Sequence, residues 1–390
     1  MSRIIHTMLV KLHIAIILLG LVYSDGENDK VLSLETVEEA LSSQTNLMTL
    51  YKKFTEDHGL IRCRKEHPHR LKLFRKVLEK IKTLKLDKDI TWEVGLTGMS
   101  DLTDDETHLI KIKSNSTADQ MLAATDDETL SATDDRLMSF HGPEIPTAFD
   151  WRDPYRNGKT TFVNPIHLQH EGSCWARSAV VPLECLIKKL TGHLLELSVQ
   201  EVYDTTYDGK NHWEGGRAPD AWRKIKETGR LGLRSEIPDR PGSKPTPYIK
   251  LMYEQTTNIM EHFKLTSFKF VARVQSTIAA IYQNSPVALT METEKLHFKV
   301  YMGKPYYNSL CDQFREADHA MVMVGYTEDI FIIRNTWGVG WGDMGYLLWE
   351  RHHEGPNCGM FKSAAYPTLE YVPKLQKREE DQERVIKSNL

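Results

Sequence analysis

Glu171 to Glu184, E-G-S-C-W-A-R-S-A-V-V-P-L-E, constrains the chain most: a polar, glycine-containing turn runs into an apolar helix with Cys174 at the junction. A thiol in the first turn of a helix faces backbone N–H groups without intrahelical partners and the positive end of the helix dipole. Both favour thiolate over thiol. A cysteine before a helix is by itself more often a buried core residue than a nucleophile.

The 390 residues allow two or three domains, and 40% hydrophobic residues suffice for a sizeable core. A net charge of -4 without a long basic run gives no reason to expect a nucleic-acid partner. Arg3 and Lys11 precede a short apolar stretch, Ile14 to Val22, which reads as a secretory signal peptide over residues 1–24. A signal anchor is the alternative, although the stretch is short of the roughly 20 residues that span a bilayer. No stable membrane insertion is expected once the signal is removed. Secretory entry also permits disulfides.

Leu32 to Leu86 has helical periodicity: Leu47, Leu50, Tyr51 and Phe54 share one face, and Leu71, Phe74, Leu78 and Ile81 another, so two amphipathic helices are expected. Residues 114–143 shift to Ser, Thr, Ala and Asp. Such a composition buries too little apolar surface to offset its ordering entropy and reads as a mobile linker open to proteolysis. It carries the sequon Asn115-Ser116-Thr117, a candidate glycosylation site. Beyond Cys174, Ser198 and Glu201 have capping-box spacing and Pro219 to Lys226 is amphipathic. Strands are expected at Phe263–Ala272, Val287–Met291, Ala320–Gly325, Ile330–Arg334 and Gly345–Glu350. Helices first and strands later give an α+β class. Residues 368–390 form a charged tail.

G-S-C-W-A-x-S-A-V resembles the nucleophile segment of the papain-like cysteine proteases. His319 and Asn335 follow Cys174 by about 145 and about 160 residues, close to the family's window of roughly 130–150. Glu66, Arg70, Phe74, Val77, Ile81 and Lys85 resemble the interrupted E-R-F-N-I-N pattern of cathepsin L-like prosegments, with Val77 and Lys85 replacing asparagines. Gly95-x-Thr97-x-Met99-x-Asp101 resembles the G-x-N-x-F-x-D element, and Ile145-Pro to Asp150-Trp151-Arg152 the mature amino terminus.

The resemblance, from about Leu47 to Pro367, implies a papain-like two-lobe fold: a helical lobe and an antiparallel β-barrel-like lobe, with a helical inhibitory prosegment at 25–113 and a catalytic domain at 144–367. It implies a cysteine endopeptidase made as a zymogen, with Cys174 as nucleophile, His319 as acid/base, Asn335 orienting His319, and Trp337 shielding that bond. The family's oxyanion glutamine stands six residues before the nucleophile. Here Leu168 is at that position and Gln169 lies five before, so the role falls to Gln169, with His170 the other nearby donor. Gly215 and Gly216 would bind extended substrate through their backbone, and Thr290, Ala320 and Ser363 map to the pocket for the second residue before the scissile bond. Cys311 and Cys358 match one family disulfide; Cys185 reads as a buried free thiol, and Cys63 lies in the prosegment.

No cofactor or metal is implied. Partners are protein or peptide substrates and the chain's own prosegment. The expected form is a monomer in the secretory pathway, lysosomal or extracellular. Departures from the family are Glu171 near the nucleophile, Arg177 in place of an aromatic residue, and Pro182, expected to break a hydrogen bond in the Cys174 helix or kink it. They leave open a catalytically impaired homologue that binds or inhibits. Separate action of the Leu32–Asp101 region as a released inhibitor is a third reading.

Overall fold

The computed structural model describes residues 31–103, 106, 144–153, 161–169, 172–206, 215–240, 249–293, 297–307, 317–351 and 357–373. The expected signal peptide, the whole linker at 114–143 with Asn115, His170, Glu171, Cys311 and the end of the charged tail lie outside the described residues. The chain divides into two units. One runs to Thr103 and includes Lys299–Lys304; the other holds the remainder.

In the first unit the periodic region forms three helices rather than two: α1 Leu34–Ser42, α2 Gln44–Asp57 and α3 His67–Leu86. Ser43 makes the difference. Its extended backbone ends α1, and its hydroxyl caps α2 by accepting from Asn46 N–H at 3.1 Å. Leu47, Tyr51, Phe54, Leu71, Phe74, Leu78 and Ile81 are buried as the periodicity requires. Full burial of each aliphatic or phenyl side chain contributes about 1.5–3 kcal/mol.

Asp101 is the polar centre of this unit. Fully buried, it accepts from Arg62 Nε and Nη2 at 2.9 and 2.8 Å and from Tyr51 Oη at 2.9 Å. Arg70, ion-paired to Glu66 at 3.2 Å, donates to the Asp101 carbonyl at 3.1 Å. Two widely spaced sequence motifs therefore meet at one residue. Strand β1, Glu93–Val94, pairs antiparallel with Tyr301–Gly303, and Thr97 Oγ1 donates to Lys299 O at 2.6 Å. Asp101→Ala leaves Arg62 and Tyr51 without their shared acceptor and is expected to destabilise this unit by about 3 kcal/mol. Faster hydrogen exchange over residues 34–86, with the second unit unchanged, is the measurement.

The second unit has helices α4 Cys174–Thr191, α5 Val199–Thr205, α6 Ala218–Thr228, α7 Ile249–Glu254 and α8 Val274–Gln283. Its sheet contains β2 Phe149–Asp150, β3 Phe263–Phe270, β4 Val287–Met291, β6 His319–Tyr326, β7 Ile330–Arg334, β8 Tyr346–Glu350 and β9 Ala365–Tyr371; β5 is the Tyr301–Gly303 strand of the first unit. The sheet order is β3-β9-β4-β6-β7-β8, with β2 on β6 and antiparallel pairing throughout. The class is α+β as expected, but the barrel-like sheet is an open path among the described strands, with no closure between β3 and β8. β6 is buried along its whole length, which is why its residues read as an unbroken apolar run. Gly325 lies where β2 crosses β6; a Cβ there would come within 2.7 Å of Phe149 O, so the pairing needs glycine.

Pro182 lies inside α4, which is continuous from Cys174 to Thr191. An internal proline costs about 3 kcal/mol, but Trp175, Ala176, Ala179, Val180, Leu183 and Ile187 are all buried around it, and Trp222 Nε1 donates to Ala179 O at 2.9 Å. The burial outweighs the lost bond. The capping box at α5 is half made. Ser198 Oγ accepts from Glu201 N–H at 3.0 Å, whereas the Glu201 carboxylate turns to Gly232 N–H and Arg230. β9 runs on beyond Pro367, with Thr368 to Tyr371 paired to β3.

Candidate active site

α4 and β6 are in contact, and their first residues are Cys174 and His319. Cys174 is fully buried, and burial pushes its thiol up to about 12, with the Asp318 carboxylate adding to the rise. Backbone hydrogen bonds from Ala320, Trp175 and Cys174 itself pull the other way. The helix terminus acts in the expected direction, but burial is the larger effect on the thiol. The hydrogen bond from Ala320 fixes the sulfur beside the residue that follows His319.

His319 is buried, and its Nε2 is 2.7 Å from Asn335 Oδ1. Asn335 follows β7, and its own N–H donates to Gly345 O at 3.1 Å. Gly345 has φ +90, a left-handed conformation that suits glycine at that support. The Trp337 ring lies 4.6 Å from the His319 ring, tilted 30°, and packs edge-on to Trp341 and Phe298. The imidazole is thus hydrogen-bonded at one nitrogen and covered on one side by an aromatic cluster.

Gln169 is buried and Leu168 exposed, so the amide nearer to Cys174 is the one turned inward. Gln169 N–H donates to Thr336 O at 2.8 Å, and Thr336 Oγ1 donates to Gln169 Oε1. Sequence reasoning missed Thr336, although it stands next to Asn335. Also missed was Asp318, which accepts from Thr293 N–H at 2.7 Å and influences the thiol.

Thr290, Ala320 and Ser363 line one cavity with Ala218, Asp220 and Phe270. Ser363 Oγ accepts from Thr290 N–H at 2.9 Å. Gly215, with φ +100, and Gly216 precede α6, whose N-terminal flank places Arg217 against Asp220 at 2.8 Å. Arg177 points at Asp239 rather than at the thiol, with 2.7 Å between Nη2 and Oδ2. Cys185 and Cys63 are free, and Cys358 is disulfide-bonded. Among the described residues there is no cluster of metal-ligating side chains and no helix long and apolar enough to cross a membrane.

Glu184, one helix face away, accepts from Leu197 N–H at 2.9 Å, and burial raises its carboxyl to about 7. Between pH 4.5 and 7 the folded state therefore holds a proton that the unfolded state has released. Stability is greatest below pH 4.5 and falls as pH rises through 7, by on the order of 3 kcal/mol. Glu184→Gln should remove that part of the pH dependence in urea unfolding of the chain.

The family model described as papain family cysteine protease matches residues 145–368. Germination-specific cysteine protease 1 of Arabidopsis thaliana is 29% identical over 296 residues, covering 74% of this chain and 73% of its own. The proform of Amb a 11, a cysteine protease and ragweed pollen allergen, has 22% identity and a TM-score of 0.67, over 86% of this chain and 98% of that one. Digestive procathepsin L 3 of Tenebrio molitor larval midgut has 21% identity and a TM-score of 0.65, over 83% and 99%. The fold of those proforms extends over both units described above. On the match across residues 145–368 and the likeness in fold, the chain belongs to the papain family of cysteine proteases and is a papain-like cysteine peptidase.

Proposed function

We propose that the chain is a cysteine endopeptidase made as a zymogen, with Cys174 as nucleophile and His319 as acid and base. The observation that carries this reading is the 2.7 Å bond from His319 Nε2 to Asn335 Oδ1, formed beside a Cys174 thiol that Ala320 holds at the start of the same strand. That bond commits Nε2 and leaves Nδ1 as the nitrogen that exchanges protons with sulfur. Proton transfer from Cys174 to His319 gives a thiolate–imidazolium pair, which overcomes the burial that keeps the lone thiol protonated.

The thiolate attacks the peptide carbonyl carbon, and the oxyanion that forms is stabilised by Cys174 N–H and the Gln169 amide. His319 gives its proton to the leaving nitrogen as the C–N bond breaks, forming a thioester. A water then loses a proton to His319 and attacks that thioester; expulsion of sulfur releases the acid and restores the thiol. Trp337 keeps water from the His319–Asn335 bond. The Thr290, Ala320 and Ser363 cavity takes the second residue before the scissile bond, and Gly215 and Gly216 bind substrate backbone.

Residues 25–113 are the inhibitory prosegment. Support comes from the self-contained helical unit around Asp101 and from the pairing of Glu93–Val94 with Tyr301–Gly303, a segment of the catalytic domain. Cleavage in 114–143 releases the enzyme, favoured at low pH by protonation of acidic side chains in the linker and prosegment. A leader at 1–24 directs the chain to the secretory pathway, where it is lysosomal or extracellular, Asn115 is glycosylated, and Cys311 and Cys358 are joined.

The test is incubation of the purified chain at pH 4 and pH 7, followed by intact mass and by hydrolysis of a denatured protein. Faster loss of the prosegment at pH 4 and internal cuts in the substrate are expected. Equal processing at both pH values refutes acid activation, and a processed, folded chain that cuts nothing identifies an inactive homologue.

A further inference from the structure

Arg177 lies one turn beyond Cys174 on α4 and is only 6% exposed. A buried guanidinium pair is a poor source of stability, because an apolar side chain of similar volume often does as well or better. Its contacts suggest another role. Nη2 reaches Asp239 Oδ2 at 2.7 Å and the Leu168 carbonyl at 3.3 Å. Arg234 shares Asp239 at 3.5 Å and is itself held by Glu196 at 2.9 Å, so Asp239 is anchored from a second direction.

Leu168 C=O and Gln169 N–H belong to one planar peptide unit. Arg177 holds the carbonyl end, and Thr336 O accepts from the amide end at 2.8 Å. Thr336 Oγ1 then fixes the tip of the Gln169 side chain through Oε1. With both ends of the peptide pinned and the side-chain oxygen occupied, Nε2 is the donating end of an amide whose origin and tip are both set.

We propose that Arg177, with Asp239, is a positioning residue for the oxyanion donor: it clamps the Leu168–Gln169 peptide so that the Gln169 amide is pre-aligned for the transition state. The inference rests on the peptidase reading and on Gln169 as donor. The clamp also accounts for a donor that can work five residues before Cys174, because the peptide is held directly and does not depend on the length of the connecting loop. Pre-alignment acts on the transition state, so its loss should appear in kcat and leave KM unchanged.

The experiment compares the processed parent with Arg177→Met, Arg177→Lys, Asp239→Asn and Gln169→Ala. It measures kcat, KM and the rate at which iodoacetamide alkylates Cys174, a reaction that develops no oxyanion. Arg177→Met should lower kcat about tenfold or more, with KM and alkylation within about twofold of the parent. Arg177→Lys should recover part of the loss. In the Gln169→Ala background, Arg177→Met should cost less than about a further twofold, since the clamp then has no donor to align.

Three results would overturn the proposal: an unchanged kcat in folded Arg177→Met, a parallel fall in kcat and alkylation, or full additivity with Gln169→Ala. Should Arg177→Met fail to fold, Asp239→Asn, which preserves shape, must show the same kcat-selective loss or the proposal fails. An unaffected Gln169→Ala overturns the clamp through its donor while leaving hydrolysis intact. A parent that is alkylated yet cuts nothing contradicts the peptidase reading itself.

Discussion

Cys174→Ala removes peptide hydrolysis to background, and His319→Ala does nearly the same, a loss on the order of 10³-fold or more for each. Alanine at 174 deletes the sulfur proposed to form the thioester. The methyl group fits a site that is fully buried, so the fold should hold. His319→Ala keeps the sulfur but leaves a thiol that burial and Asp318 push up, with no imidazole to take its proton and nothing to protonate the leaving amine. The two groups act as a unit, so the double variant should be no slower than the worse single one. Initial rates on a peptide substrate, with circular dichroism for folding, provide the check. Additive losses would mean that Cys174 and His319 act in separate steps.

Gln169→Ala lowers kcat by about 10²- to 10³-fold with little change in KM, the usual cost of one oxyanion donor. Its amide is buried, anchored through N–H to Thr336 O and through Oε1 to Thr336 Oγ1, so little reorganisation is needed when charge develops. Iodoacetamide should still alkylate Cys174 at nearly the parent rate, which separates loss of the donor from loss of the thiolate. If His170 is the donor instead, Gln169→Ala will leave kcat within about twofold of the parent and the large loss will belong to His170→Ala.

The residues proposed to carry the chemistry were legible in the sequence to the extent that their signals are local. Cys174 at a helix start, His319 at the head of an apolar run and Asn335 in a tryptophan- and glycine-rich turn each stand out within a few residues. The structure joins His319 to Asn335 and sets Cys174 against Ala320. The α+β class and most strands were equally readable, since a buried strand such as β6 is a continuous apolar word.

What failed to show depends on distant partners or on a balance of energies. Arg177 looked like a defect because its counter-ion, Asp239, is 62 residues away and unmarked by any motif. Pro182 reads as a cost because the sequence states the lost hydrogen bond but not the burial that offsets it. The helix terminus at Cys174 favours a thiolate, whereas burial pushes the thiol the other way, and burial is a property of the assembled fold. The third helix of the first unit turned on one residue, Ser43, where a cap and an extended backbone coincide.

The most direct test of Cys174 as an activated nucleophile is labelling of the acid-processed protein with a peptidyl epoxide that alkylates active-site thiolates, read by intact mass and peptide mapping beside Cys174→Ala. One adduct, on Cys174 alone and absent from the variant, is the predicted result; the free Cys185 should stay unlabelled, because its burial raises its thiol without a paired imidazole. No adduct on a folded protein that has lost residues 25–113, or an adduct on another cysteine, would contradict it.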